Sequence, residues 1–210
     1  MTDVALPFTS IMWRFTPSDS DNHCYNHHRL MDEDYVGRIQ QMGWPELREL
    51  WNAILSGETP GWAPGKAMEY VVLRAFDLAG AKVTWPYDVE IAGETAEQID
   101  GAVHLDGLSC LVETKDTADP INVQPIAKLR NQLLRRHAGA VGLLFSRSGF
   151  TPPAQTLAQF LAPQTILLWS GEEIGYVLQR ESIRTALITK YRYCIETGLP
   201  GFDTRVEELP

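Results

Sequence analysis

The sequence predicts an α/β protein: a mixed β-sheet core flanked by helices on both sides, with a small, mainly helical N-terminal extension. Three observations predict it. The segments Glu97–Leu105 and Leu108–Lys115 are strand-like and are joined by Asp106-Gly107, a strong two-residue hairpin signal. Gly139–Phe145 is a continuous apolar run of strand length, as a strand covered on both faces requires. Lys66–Ala79 carries Met68, Val71, Val72, Ala75, Phe76 and Ala79 at helical spacing and stops at Gly80.

The elements follow in order. Asn22-His23-Cys24-Tyr25-Asn26-His27-His28 is polar and reads as a loop. Pro45 at the start of a helix suits Glu46–Leu55, which places Leu47, Leu50, Trp51, Ile54 and Leu55 on one side. Gly57–Gly65 holds two prolines and three glycines and marks the boundary of an accessory region, 1–62. Beyond Lys66–Ala79, Val83–Ile91 reads as a strand with a turn around Gly93, and then comes the hairpin. Val123–His137 is a helix, Gly139–Phe145 a central strand, Pro152–Leu161 a helix, Thr165–Trp169 a strand, and Glu172–Arg180 a helix. The core is expected over 63–182. A C-terminal helix, Ser182–Glu196, and tail occupy 183–210. Helices and strands in this order build a mixed sheet with helices on both sides.

Composition narrows the class. At 210 residues, with 44% apolar and 21% charged residues, the chain can bury its own core. No apolar run approaches the roughly 18 residues of a membrane span. The N-terminus lacks the pattern of a signal peptide. Cys24, Cys110 and Cys194 are odd in number and far apart, which points to reduced thiols and a cytoplasmic location. The net charge is -9, yet residues 117–160 hold five Lys+Arg against one acidic residue: Lys128, Arg130, Arg135, Arg136 and Arg147. Arg135 and Arg136 form either a phosphate-contacting patch or a solvated helix end. Cys24, His27 and the neighbouring His23 and His28 lack the second ligand pair that a zinc site ordinarily needs. Trp62 and Trp85 are candidates for contact with bases.

The chemistry gathers at the hairpin. With a two-residue turn, Leu105 faces Leu108, and continuing that register puts Asp100 opposite Glu113, with Cβ atoms about 4.5–5.5 Å apart. Facing carboxylates repel, and a bound cation removes that penalty. Lys115, two residues beyond Glu113, projects from the same face. Hard oxygen ligands beside an ammonium suit Mg²⁺-assisted phosphodiester hydrolysis.

Ile99-Asp100, a hairpin, and Val112-Glu113-Thr114-Lys115 resemble the PD-(D/E)xK nuclease superfamily. Ile99 stands where the motif's name has proline. Gly65-Lys66-Ala67-Met68-Glu69 opening a helix, Gly80 closing it, and Ser146-Arg147-Ser148-Gly149-Phe150-Thr151 followed by Ala154 narrow the similarity to the Mrr-like restriction endonucleases, over roughly 65–180. That branch often has Gln where Glu113 stands. The resemblance implies a restriction-endonuclease-like core and a catalytic set of Asp100, Glu113, Lys115 and Glu69. Asp100, Glu113 and Glu69 would be metal ligands for Mg²⁺ or Mn²⁺. It also matches Gln124 to a polar position that often assists, with Lys128 four residues later on the same helix face. The basic stretch adds Arg135, Arg136 and Arg147 as candidate nucleic-acid contacts. The expected function is a metal-dependent endodeoxyribonuclease acting in defence against foreign DNA, as a homodimer or a subunit of a larger complex. A nuclease-fold DNA-binding or assembly subunit and a ribonuclease stand as alternatives.

Overall fold

The computed structural model describes residues 34–206, apart from 86, 92 and 93. The Cys24/His27 cluster and the turn around Gly93 lie outside the described residues. Residues 34–40 form helix α1, followed by α2 (Trp44–Ser56) and α3 (Lys66–Leu78). Helix α2 starts as its sequence suggests: Glu46 Oε2 accepts the Gly43 N–H at 2.9 Å, Pro45 sits in the first turn, and Gly57 closes the helix in the left-handed region.

Among the described residues seven strands follow: β1 (Lys82–Thr84), β2 (Tyr87–Ile91), β3 (Glu94–Ile99), β4 (Gly101–Leu105), β5 (Leu108–Lys115), β6 (Ala140–Ser146) and β7 (Thr165–Ser170). Five of them form one mixed sheet in the order β1-β4-β5-β6-β7. β1, β4 and β5 pair antiparallel, while β5, β6 and β7 pair parallel. The hairpin turn is as read. Asp106 (φ 49°) and Gly107 (φ 83°) both have positive φ, as a type I′ turn demands, and Leu105 pairs with Leu108. β6 is interior to the sheet, and its parallel pairing explains its unbroken apolar run.

The helices are α4 (Val123–Leu134), α5 (Pro152–Gln159), α6 (Gly171–Arg180) and α7 (Ile183–Thr197). The alternation of side chains along the strands separates two cores. Val103, Cys110, Val112, Val141, Leu143, Phe145, Leu167 and Trp169 pack with α1, α2, α3, α6 and α7. Ala102, Leu111, Leu144, Ile166 and Leu168 pack with α4 and α5 on the other face. The first core runs from Tyr35 to Leu187, so both expected boundaries, at 62 and at 182, fall within one packed cluster. Among the described residues no helix is long and apolar enough to cross a membrane.

Two expected strands are each split. Val83–Ile91 divides into β1 and β2, and Glu97–Leu105 divides into β3 and β4. β2 and β3 pair with one another as a separate two-stranded ribbon, from Tyr87–Ile99 to Ile91–Glu94. Asp100 sits on the bend between β3 and β4. Gly101 follows it because a Cβ there would come within 2.5 Å of Leu73 Cδ2 and 3.1 Å of the Thr84 carbonyl oxygen. Helix α4 also stops three residues short of His137. The amides of Arg135 and Arg136 tighten onto the carbonyls of Gln132 and Leu133, which ends the helical ladder.

Candidate active site

Glu113 lies on an interior strand of the sheet, and its side chain is 0% exposed. A buried carboxylate is costly unless it is paired and hydrogen-bonded. Glu113 has two cationic partners. Lys115 Nζ donates to its Oε1 at 2.6 Å, and Lys128 Nζ, from α4, donates to Oε1 and Oε2 at 2.9 and 3.0 Å. Lys115 Nζ also donates to the Thr114 carbonyl oxygen at 3.1 Å. The expectation that Lys115 shares the face of Glu113 is therefore met. Lys128 was expected on nucleic acid, but its ammonium is turned onto Glu113.

Asp100 departs from the expected register. The β4–β5 ladder ends at Gly101–Val112, so Asp100 is not a ladder partner of Glu113. Its Oδ2 instead accepts two hydrogen bonds from Thr114, from the backbone N–H at 2.6 Å and from Oγ1 at 2.7 Å. The two carboxyls still feel one another. Burial and then the charge of Glu113 raise the Asp100 pKa above its ordinary value, while the Thr114 bonds and Lys115 oppose the rise.

A cleft of about 550 Å³ opens beside Glu113 and Lys115. Its walls are the loop from Thr117 to Asn122, Gln124 and Lys128. The loop is anchored: Ile121 pairs with Phe150, and Ser148 Oγ donates to the Asp119 carbonyl at 2.5 Å. Gln124 thus lines the cleft, as a residue assisting at the site would. Glu69 does not join the cluster. It belongs to α3, which packs on the sheet face opposite α4, and it accepts from Lys66 Nζ at 3.0 Å. Among the described residues, no three His, Cys, Asp or Glu side chains are gathered to hold a metal ion. The described residues therefore do not gather Asp100, Glu113 and Glu69 into a three-carboxylate cluster.

The sequence of residues 63–178 matches the model of a restriction endonuclease family, the Mrr_cat catalytic domain. The chain belongs to this family. No curated protein matches it. Two solved structures are similar in part. One is a protein of unknown function designated AF1548, with 15% identity, TM-score 0.44, and coverage of 63% of this chain and 77% of that one. The other is the MspJI restriction endonuclease in complex with a 27-mer oligonucleotide, with 12% identity, TM-score 0.34, and coverage of 93% of this chain and 40% of that one.

In this restriction endonuclease domain the donor set suits a hard divalent cation. Glu113 Oε1 and the Thr114 carbonyl oxygen already converge on a positive charge, the Lys115 ammonium, and Asp100 supplies a further carboxylate. The expected nucleic-acid contacts are less free than their charge suggests. Arg135 and Arg136 both pair with Glu97 on β3, Arg136 at 2.6 Å, and Arg147 pairs with Asp116. Arg135 and Arg136 follow the far end of α4, about 15 Å or more from Gln124 at 1.5 Å per residue. Sequence reasoning missed Thr114 as the partner of Asp100. A hydroxyl beside the buried Glu113 was the available signal.

Proposed function

We propose that the chain is a divalent-metal-dependent endodeoxyribonuclease in which Asp100 and Glu113 hold Mg²⁺ or Mn²⁺ and Lys115 is the catalytic lysine. The observation that carries this reading is the buried Glu113 carboxylate with the Lys115 ammonium 2.6 Å away at the mouth of a cleft. Membership of a restriction endonuclease family supports it. A bound divalent ion supplies Lewis-acid polarisation of the phosphoryl oxygen and a water of lowered pKa. Lys115 orients the attacking water and stabilises negative charge that builds on the phosphoryl oxygens. Lys128 holds the Glu113 carboxylate in place through both oxygens, and its half-exposed side chain adds positive charge to the cleft wall. Gln124 offers an amide to a phosphate or sugar at the same wall. Cutting both strands of a duplex needs two sites, which favours a homodimer or a larger complex. Cytoplasmic defence against foreign DNA is the role consistent with the family.

A second reading is a nuclease-fold subunit whose DNA contacts come largely from a partner. The pairing of Arg135, Arg136 and Arg147 with carboxylates favours it, because those cations are already neutralised. Incubating the purified protein with plasmid, single-stranded DNA and RNA, each with Mg²⁺, Mn²⁺ or EDTA, tests both. Metal-dependent cleavage of DNA is expected. RNA cleavage alone would make it a ribonuclease, and no cleavage of any substrate would overturn the enzyme reading.

A further inference from the structure

We infer that Thr114 is a positioning residue that sets the affinity of the site for its divalent cation by fixing the carboxylate of Asp100; this rests on the metal-site reading above. Asp100 stands on the bend between β3 and β4, one residue outside the β4–β5 ladder, so no strand pairing restrains it. Both of its hydrogen bonds come from one residue and converge on one oxygen, Oδ2: Thr114 N–H at 2.6 Å and Thr114 Oγ1 at 2.7 Å. That arrangement leaves Oδ1 as the oxygen free to meet a cation. It also holds a carboxylate close to a like-charged Glu113, where an unrestrained side chain would rotate away.

The same residue offers its carbonyl oxygen toward Lys115 Nζ at 3.1 Å. One residue therefore fixes Asp100 through its N–H and hydroxyl and accepts from the Lys115 ammonium through its carbonyl oxygen. Thr114 is 8% exposed, so its hydroxyl has little access to water as a rival partner. Thr or Ser at this position supplies a hydroxyl as the second donor, whereas a Cys thiol donates only weakly. Groups that orient a metal ligand ordinarily alter metal affinity by about 10- to 100-fold when removed.

Calorimetric titration of the full chain with Mn²⁺, and separately Mg²⁺, tests the inference. Thr114→Val deletes the hydroxyl and keeps the backbone donor. It is expected to weaken binding by about 10- to 100-fold, while Thr114→Ser stays within about threefold of wild type on the same principle. In an Asp100→Ala background, Thr114→Val is expected to have no further effect, because the two act through one carboxylate. Melting of the metal-free proteins separates a purely structural role, which would lower stability without moving the dissociation constant. If Thr114→Val is too unstable to titrate, Thr114→Cys, a weak donor, takes its place with the same expectation. Wild-type affinity in the Val or Cys variant, or a Ser variant as weak as Val, overturns the inference. Absence of metal binding by the wild type would instead overturn the metal-site reading itself.

Discussion

Replacing Glu173 with glutamine removes one half of the most deeply buried ion pair among the described residues. Lys190 and Glu173 side chains are 0% and 2% exposed, and Lys190 Nζ lies 2.9 Å from Oε1 and 3.0 Å from Oε2. The ammonium also donates to the carbonyls of Leu168, at 2.8 Å, and Phe202, and it lies 4.8 Å from the centre of the Trp169 ring. Glu173 Oε1 in turn accepts from Thr204 N–H and Oγ1 at 3.0 and 2.8 Å. The pair therefore ties α6, α7, β7 and the C-terminal tail together. Stranding a buried charge costs about 3–5 kcal/mol. In a domain of this size each kcal/mol moves Tm by about 2–4 °C, so Glu173→Gln should lower Tm by roughly 6–20 °C. The double variant Glu173→Leu/Lys190→Met removes both charges and should recover at least half of that loss. Scanning calorimetry with matched urea titrations measures both. A loss below about 1 kcal/mol, or a double variant no more stable than the single one, would refute the reasoning.

Two further outcomes follow from the active site and its surroundings. Asp100 has a pKa raised by burial and by Glu113, so in the metal-free protein its contribution to stability is fully present below about pH 3.8 and is lost as pH rises through the raised value. Asp100→Asn should flatten that part of the pH–stability curve and raise metal-free Tm at neutral pH while abolishing cleavage; a lower Tm at neutral pH would contradict this. Glu97→Gln should release Arg135 and Arg136 from their carboxylate partner. DNA binding, followed by fluorescence anisotropy, should then tighten, and the slope of log K against log salt should steepen by up to about 2. An unchanged slope would place those arginines away from the DNA path.

What the sequence made legible is what short-range rules control. Asp106-Gly107 fixed a type I′ turn because few other dipeptides accept positive φ twice, and from it the register to Gly101–Val112 followed. The span of β5 and the shared face of Glu113 and Lys115 followed from the same local logic. The break at Asp100 was not legible. Alternation continues through Glu97–Leu105 while the chain changes partner from β2 to β5, and the change of sheet leaves no mark in a period of two. Pro86, lacking an N–H, was a sequence signal that Val83–Ile91 would not be one strand. The partners of the cations were equally hidden. Lys128 is 15 residues from Glu113, and Arg136 is 39 from Glu97, so both pairings depend on how α4 crosses the sheet and the β2–β3 ribbon. Glu69 was placed in the site through family resemblance. On α3 it accepts from Lys66 Nζ, and with Asp100 and Glu113 it forms no three-carboxylate cluster among the described residues.

The most direct test of the central claim is the rate of DNA cleavage by Glu113→Gln in saturating Mg²⁺ or Mn²⁺, compared with wild type and with circular dichroism confirming a folded variant. Glutamine keeps the shape of the buried side chain and two hydrogen-bonding atoms but loses the charge that Lys115 and Lys128 share and that the proposed cation would use. A fall of about a thousandfold or more, the scale of losing a principal electrostatic group, is predicted. Cleavage at the wild-type rate by the folded variant would contradict the assignment of the active site.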